Sequence, residues 1–138
     1  MGKMFELMTD QPLLTNYNDL GKPMVTAYID DHPITNTLID LGVAINVIKN
    51  DLFTTLGLHG LKHTPTVLEL AYRSHVKPKG VLEDVVIILA SWRYPSDFLI
   101  LQIKSKVGGH PLILGRPWLA TADAYIGCRS RYMMISHG

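Results

Sequence analysis

One segment of this sequence decides the fold: Leu38-Ile39-Asp40-Leu41-Gly42-Val43-Ala44-Ile45-Asn46-Val47-Ile48. Asp40 directly follows a strand-like apolar stretch and comes two residues before a glycine. Burying a charge among apolar side chains is costly unless that charge is paired or used. Glycine permits a tight turn and the close approach of a second backbone. The pattern therefore predicts an aspartate presented on a rigid loop at the end of a strand.

The residues upstream of this segment have the pattern of a β-hairpin. Apolar and polar residues alternate from Met24 to Asp30, a turn cluster follows at residues 30–33, and an extended run resumes at Ile34. Residues 1–22 are interpreted as a lead-in, in which Pro12 would limit any short helix over residues 3–14. We place the boundaries of the folded domain at residues 23 and 136.

Downstream, short apolar runs alternate with turn signals, which indicates a closed β-sandwich or barrel. The pattern predicts strands over residues 65–71, 81–90, 97–103, 112–114 and 128–135, with a turn at residues 91–95. Two short helices are also predicted. Asn50 is placed to cap the first and Gly57 to end it, and Pro117 lies in the first turn of the second, which runs to Ala124.

Composition narrows the function classes. The 138 residues suit one domain, and 47% apolar content argues against disorder. A formal net charge of +1 gives no strong excess of basic residues of the kind that binds nucleic acid. The longest apolar run, Val85–Ala90, is far below the roughly 20 residues that span a bilayer. A single cysteine, Cys128, excludes an internal disulfide, and residues 1–10 lack the apolar stretch of a signal peptide. We expect an intracellular, cytoplasmic protein with neither nucleic-acid nor membrane partners.

A second segment combines a short apolar strand, a glycine and a helix start: Pro111-Leu112-Ile113-Leu114-Gly115-Arg116-Pro117-Trp118-Leu119-Ala120-Thr121. Together the two segments resemble the paired motifs of retropepsins, the aspartic proteases of retroviruses and long-terminal-repeat retrotransposons. The resemblance is closest to plant-type retrotransposon polyproteins and covers residues 24–135. It implies an all-β, retropepsin-like closed barrel with one or two short helices, assembled as a two-fold homodimer.

The resemblance also implies an activity, that of an aspartic endopeptidase that processes a polyprotein. Such enzymes use two carboxylates about 3 Å apart that share one proton. One acts as general base on a water and the other as general acid to the peptide carbonyl. Asp40 would be the catalytic residue, one from each chain, and no metal or organic cofactor is implied. A coupled carboxylate pair predicts a maximum of activity at mildly acidic pH.

Further residues take roles by their place in the family pattern. A flap over the bound peptide is expected within residues 72–79, and Gly115 and Arg116 are expected to support the Asp40 loop, with Gly115 packed where a side chain would collide. The residues assigned to substrate binding are Gly42 on the loop, Tyr72, Arg73, Ser74, His75 and Val76 in the flap, and Pro111, Ile113 and Leu114 in the pocket wall.

The chain departs from the family pattern beside Asp40. Leu41 replaces the usual Thr or Ser, whose hydroxyl braces the two loops across the dimer, and Val43 replaces a smaller Ala. Ala44 stands where viral enzymes often have a second Asp, a partner for Arg116. These departures favour an alternative function, a catalytically weak or inactive module of the same fold that dimerises or binds peptides.

Simpler interpretations remain for several residues. An isolated Asp-x-Gly is usually only a turn, which is our interpretation of Asp19-Leu20-Gly21. His59 and His63 have the spacing of metal ligands on a helix, but Gly60 interrupts any helix between them, so a surface loop is favoured. Cys128 has no evident base nearby and is interpreted as structural. A nucleic-acid accessory role is disfavoured by the near-zero net charge.

Overall fold

The computed structural model describes residues 2–9, 23–65, 68–69, 75–102, 109–127 and 129–136. Among these, strands dominate and two short helices are present. The strands are β1 (Gly2–Glu6), β2 (Met8–Thr9), β3 (Pro23–Ile29), β4 (His32–Ile39), β5 (Val47–Lys49), β6 (Leu68–Glu69), β7 (His75–Val76), β8 (Gly80–Leu89), β9 (Trp92–Leu101), β10 (Leu112–Leu114), β11 (Tyr125–Gly127) and β12 (Tyr132–Ser136). The helices are α1 (Asn50–Thr55) and α2 (Arg116–Thr121).

Six strands close into a barrel in the order β3-β4-β10-β5-β9-β8, and β8 pairs back onto β3. The pairs β4–β10 and β5–β9 are parallel, and the other four are antiparallel. The parallel pairing places the ends of β4 and β10 side by side, with Ile39 opposite Leu114. The prediction of a closed all-β barrel with two short helices is confirmed, and Asp40 and Gly115 become neighbours because each follows one of these paired strands.

Two hairpins build the long walls of the barrel. The predicted hairpin is present as β3 and β4, which are joined by a two-residue turn in which Asp30 has a φ of 54°. The predicted turn at residues 91–95 is wrong. Ala90 and Ser91 alone make the turn, with φ of 49° and 71°, and the residues from Trp92 onward pair along β9.

The helices lie where the sequence predicts them, with corrections at their ends. Asn50 is the first residue of α1 rather than its cap, since the cap position is Lys49 and makes no side-chain hydrogen bond. The Asn50 Oδ1 instead accepts a hydrogen bond from Lys79 Nζ at 3.0 Å. The chain leaves α1 through Gly57, whose φ of +65° suits glycine. The helix α2 is shorter than predicted at its C-terminal end.

The first and last strands pair with each other rather than trailing from the barrel. All five residues of β1 pair antiparallel with β12, and β11 flanks β12 on its other side. A helix therefore does not form in residues 2–9, and the predicted last strand begins at Tyr132. Cys128 lies outside the described residues, as do most of the predicted lead-in and its Asp19-Leu20-Gly21 turn. The domain boundary at residue 22 stays a prediction.

The main apolar core fills the barrel and continues under the β1-β12-β11 sheet. Trp118, as predicted, is fully buried, and its ring meets that of Tyr94 edge-on with centroids 5.5 Å apart. The Tyr94 hydroxyl donates a hydrogen bond to the Ser136 carbonyl at 2.9 Å, which ties β9 to β12. No helix within the described ranges is long and apolar enough to cross a membrane.

A second, smaller apolar cluster is separate from this core. It contains Val47, Leu99 and Leu101, with Ile45, Val81 and Ile113 packed against it. Val47 and Ile113 are opposite each other in the β5–β10 pair. Because side chains alternate between the faces of a strand, this cluster lies on the outer face of the barrel wall, whereas Ile48 and Leu112 point into the main core.

Candidate active site

The segment between β4 and β5, residues 40–46, is called the site loop below. It begins at Asp40, which is partly buried and directly follows the buried Ile39. The Asp40 N–H donates to the Leu114 carbonyl at 3.0 Å, extending the β4–β10 pairing by one residue. The Gly42 N–H donates to Asp40 Oδ1 at 2.9 Å. The carboxylate is therefore held in one orientation at the surface end of a buried strand.

The strand-to-helix junction at Gly115 holds the site loop from below. A Cβ on Gly115 would collide with the backbone carbonyl of Ile45 and lie 2.9 Å from the Val43 carbonyl oxygen. These neighbours are backbone atoms, which cannot move aside as the end of a side chain can. The close packing of Gly115 under the loop is therefore present as the sequence predicts.

Arg116 braces the site loop with both its backbone and its side chain. Its N–H donates to the Val43 carbonyl at 3.0 Å, and its Nη1 donates to the Leu41 carbonyl at 3.2 Å. Ala44, where the resemblance would place an acidic residue, offers no charge to this guanidinium. Arg116 thus contacts the loop through peptide carbonyls rather than through an ion pair with that position.

Asn46 is the residue that sequence reasoning missed. It is a buried polar residue, only 1% exposed. Its Oδ1 accepts hydrogen bonds from the Gly115 N–H at 2.9 Å and the Trp118 N–H at 3.2 Å, while its Nδ2 donates to Ser96 Oγ at 2.8 Å and the Asp97 carbonyl at 3.0 Å. One amide therefore joins the site loop, the start of α2 and strand β9.

The signal for Asn46 was present in the sequence. It is an amide within the apolar run that follows Asp40, and a buried amide requires partners for its donors and its acceptor. The partners themselves lie 50 to 72 positions away along the chain. Only the fold brings them together.

The predicted pocket residues divide between the two faces of the barrel wall. Ile113 lies in the outer cluster, and Pro111 precedes it at the surface, with its carbonyl accepting the Lys49 N–H at 2.9 Å. Leu114, by contrast, has no exposed surface and lies in the main core. A substrate contact by the Leu114 side chain does not fit this position, because strand alternation turns it inward.

An open cleft of about 410 Å³ lies against the end of the site loop. Its lining includes Ala44, Ile45, Val81 and Leu99, so it adjoins the outer apolar cluster. On β5, burial lowers the pKa of Lys49 below its ordinary value, and Asp51 acts in the opposite direction. Within the described ranges, no group of three or more His, Cys, Asp or Glu side chains is placed to hold a metal ion.

The predicted flap falls largely outside the described residues. Tyr72, Arg73 and Ser74 are not among them, and for His75 and Val76 the backbone alone is described, as strand β7 paired with β6. The roles of these five residues in substrate binding stay predictions. So does the contact of the Gly42 carbonyl with a bound peptide.

The chain is similar to known proteins in its structure, whereas comparisons of its sequence find no match. Neither the protein-family models nor the curated proteins contain a match. The retroviral protease-like domain of Ddi1 from Leishmania major superposes with a TM-score of 0.67 at 15% identity, over 86% of this chain and 90% of that one. The EIAV protease in complex with the inhibitor HBY-793 gives 0.63 at 22% identity, over 82% and 99%.

A retropepsin-like aspartic protease from Rickettsia conorii gives a TM-score of 0.63 at 13% identity, over 99% of this chain and 94% of that one. These three matches cover 82% to 99% of this chain. At such identities the likeness shows the fold, which is retropepsin-like as predicted.

Proposed function

We propose that this chain is an aspartic endopeptidase whose active site forms between two copies. The observation that carries the proposal is the held carboxylate of Asp40, with Oδ1 fixed by the Gly42 N–H at 2.9 Å in a retropepsin-like fold. The loop that presents it is tied to β10 and α2 by backbone hydrogen bonds. Catalytic groups on a rigid support reach productive geometry without reorganisation.

The chemistry requires a second carboxylate, which the two-fold copy of Asp40 would supply. The ionised member of the pair takes a proton from a water, and that water attacks the scissile carbonyl carbon. The protonated member donates to the carbonyl oxygen, which gives a tetrahedral gem-diol. The C–N bond then breaks as the carboxyl that took the water's proton passes it to the amine nitrogen, and the other carboxylate takes a proton back from a diol hydroxyl as the carbonyl re-forms. In each copy we assign Oδ2 to this proton exchange, because Oδ1 is engaged by Gly42.

We infer that the substrate is an extended peptide with aliphatic side chains near the cleaved bond. The outer cluster presents Ile45, Val81 and Ile113, each partly exposed, beside the site loop. Extended peptides bind such surfaces by strand-like hydrogen bonds, with alternate side chains entering apolar pockets. Processing of a plant-type retrotransposon polyprotein inside the cell is the role that fits this chemistry and the sequence resemblance.

One observation favours a second candidate, a non-catalytic module that dimerises or binds peptides. Leu41 is 52% exposed beside Asp40 and carries no hydroxyl to brace a second loop. Val43 adds bulk at the same loop. The two functions share a fold and differ in whether the carboxylates meet at working distance.

Cleavage of a peptide library at about pH 5 tests the proposal, with protein concentrated enough to favour dimers. The proposal expects cleavage by the wild type that is lost in Asp40→Asn and blocked by a statine-type inhibitor. Asp123→Asn is the matched control, since Asp123 is exposed beyond α2 and has a φ of 48°, which Asn tolerates. Cleavage that survives Asp40→Asn would overturn the assignment. So would a cleavage rate that stays the same from acid to alkaline pH. A folded dimer without cleavage would favour the second candidate.

A further inference from the structure

The cleft at the end of the site loop combines apolar walls with an exposed carboxylate. Ile45, Val81 and Leu99 line it with apolar side chains that also belong to the outer cluster, and Asp97 lines it beside them. Because Phe98 points into the main core, its neighbours Asp97 and Leu99 both point to the outer face of the barrel. The lining residues all belong to one chain, so the cleft does not depend on a second copy.

A β-bulge brings further negative charge beside Asp97. The β8–β9 register shifts between Leu82 and Val85, so that Glu83 and Asp84 together face the single residue Asp97. Asp84 has a φ of 55°, and its N–H donates to Asp97 Oδ1 at 3.0 Å. The bulge therefore holds the Asp97 carboxylate in position at the cleft.

The negative charges at the bulge are only partly balanced by a neighbouring cation. Lys62 forms an ion pair with Glu83, whereas Asp84 and Asp97 form no ion pair with any residue that the structure describes. The pKa of Lys62 is raised, mainly by its hydrogen bond to Glu83 and by the charge of Glu83, and further by the charges of Asp84 and Asp97. This side of the cleft therefore carries a negative potential that favours a second cation.

The cleft lies within reach of a peptide that is bound at Asp40. Ala44, which also lines the cleft, comes four residues after Asp40 in the site loop. Four residues of chain span at most about 14 Å, and an extended peptide advances about 3.3 Å per residue. A peptide bound at Asp40 would therefore present to the cleft a side chain up to about four positions from the scissile bond.

We infer that the cleft binds a lysine or arginine side chain of the substrate, with the aliphatic stem along Ile45 and Leu99 and the charged head at Asp97. Long basic side chains bury their methylene stems on apolar surface while the charged head stays in water, and this open cleft offers both surroundings. The inference rests on the proposed function, since it takes an extended peptide bound at Asp40 as the ligand. It adds a basic position to the aliphatic positions near the cleaved bond.

The test starts from the best-cleaved peptide of the library and varies each of the four positions on either side of its scissile bond as Lys, Met or Glu. At one position the kcat/KM for Lys is expected to exceed that for Met by about three- to fivefold, with Glu below Met. High salt should reduce this preference, because exposed charges are screened.

Variants of the carboxylates connect this preference to the cleft. Asp97→Asn keeps an acceptor for the Asp84 N–H but removes the charge, so it is expected to lose most of the ratio of Lys to Met. Asp84→Asn, whose φ of 55° Asn tolerates, is expected to lose part of it. Asp31→Asn is the matched control, since Asp31 is exposed in the β3–β4 turn, and it is expected to keep the full ratio.

Peptide binding by the Asp40→Asn protein, followed by fluorescence anisotropy, separates the inference from the proposed function. If the wild type cleaves peptides with no preference for Lys, or with one that Asp97→Asn leaves intact, the inference fails and the protease stands. A preference for Met over Lys at every position would show that the cleft takes an aliphatic side chain, and it would also overturn the inference. If Asp40→Asn binds Lys peptides more tightly through Asp97 but the wild type cleaves none, the inference stands and the non-catalytic module is favoured.

Discussion

Replacing Asn46 by alanine is expected to loosen the site loop more than any surface substitution, because this side chain joins three segments. Its Oδ1 accepts from the N–H groups of Gly115 and Trp118, and its Nδ2 donates to Ser96 Oγ and to the Asp97 carbonyl. The two amides that it accepts from are themselves buried. Water therefore cannot simply take the place of the lost acceptor.

The magnitude follows from the groups left without partners. Asn46→Ala removes the acceptor of two buried N–H groups and the donor to one carbonyl, at about 1–3 kcal/mol for each unsatisfied group. A total near 4 kcal/mol is expected, which is a large part of the roughly 5–15 kcal/mol that stabilises a domain of this kind. With a urea dependence near 2 kcal/mol per molar, the unfolding midpoint should fall by about 2 M.

Urea unfolding followed by tryptophan fluorescence and far-UV circular dichroism measures this change. Asn36→Ala is the control, since Asn36 is exposed and should alter stability by less than about 0.5 kcal/mol. Asn46→Asp keeps the acceptor for Gly115 and Trp118 but buries a carboxylate and sets one of its oxygens against the Asp97 carbonyl, so at neutral pH it should lower the midpoint at least as much as Asn46→Ala. A midpoint for Asn46→Ala close to that of the Asn36 control would refute the reasoning.

Three further substitutions test the supports of the site loop and the attachment of β12 to the barrel. Gly115→Ala should lower the free energy of unfolding by about 3 kcal/mol or more, because its Cβ would collide with the Ile45 carbonyl. A urea midpoint close to that of the wild type would contradict this expectation. Tyr94→Phe should cost about 1 kcal/mol at neutral pH for the lost hydrogen bond to β12. Burial raises the pKa of Tyr94 above its ordinary value of 10.0. The stability of the wild type should therefore fall as pH rises above about 10, because the unfolded chain loses this proton first. Melting temperatures measured across this pH range should show a smaller fall for Tyr94→Phe. Arg116→Met removes the hydrogen bond to the Leu41 carbonyl. It should lower kcat/KM for peptide cleavage about tenfold and lower the free energy of unfolding by less than about 1 kcal/mol. A kcat/KM equal to that of the wild type would argue that this side chain does not brace the site loop.

The barrel could be predicted because its signals are local. Alternation before Asp40 and the apolar triplet 112–114 each indicate a strand, and their order matches one family of folds. The β8–β9 turn could not be predicted, because Ala90 and Ser91 both take positive φ, which neither residue type favours. Pro95 suggested a turn but lies within β9, opposite Val86.

The site residues could be predicted where a residue type is unusual for its local sequence. Asp40 is conspicuous as a charge after an apolar strand, and Gly115 as a glycine between a strand and a helix. Asn46 was not predicted, because its role depends on partners far along the chain. The inward direction of Leu114 could have been read from strand alternation, since Ile113 cannot share a face with its neighbour.

The supports of the site loop all lie within one chain, and this bears on how activity could be lost. Backbone hydrogen bonds, the close approach of Gly115 and the amide of Asn46 hold Asp40 whether or not a second copy is present. Under the proposed function, a single chain would carry a preformed half-site, and the cleavage rate should rise with the square of protein concentration while monomers predominate. The fold can thus persist unaltered while the distance between two carboxylates decides between a protease and a binding module.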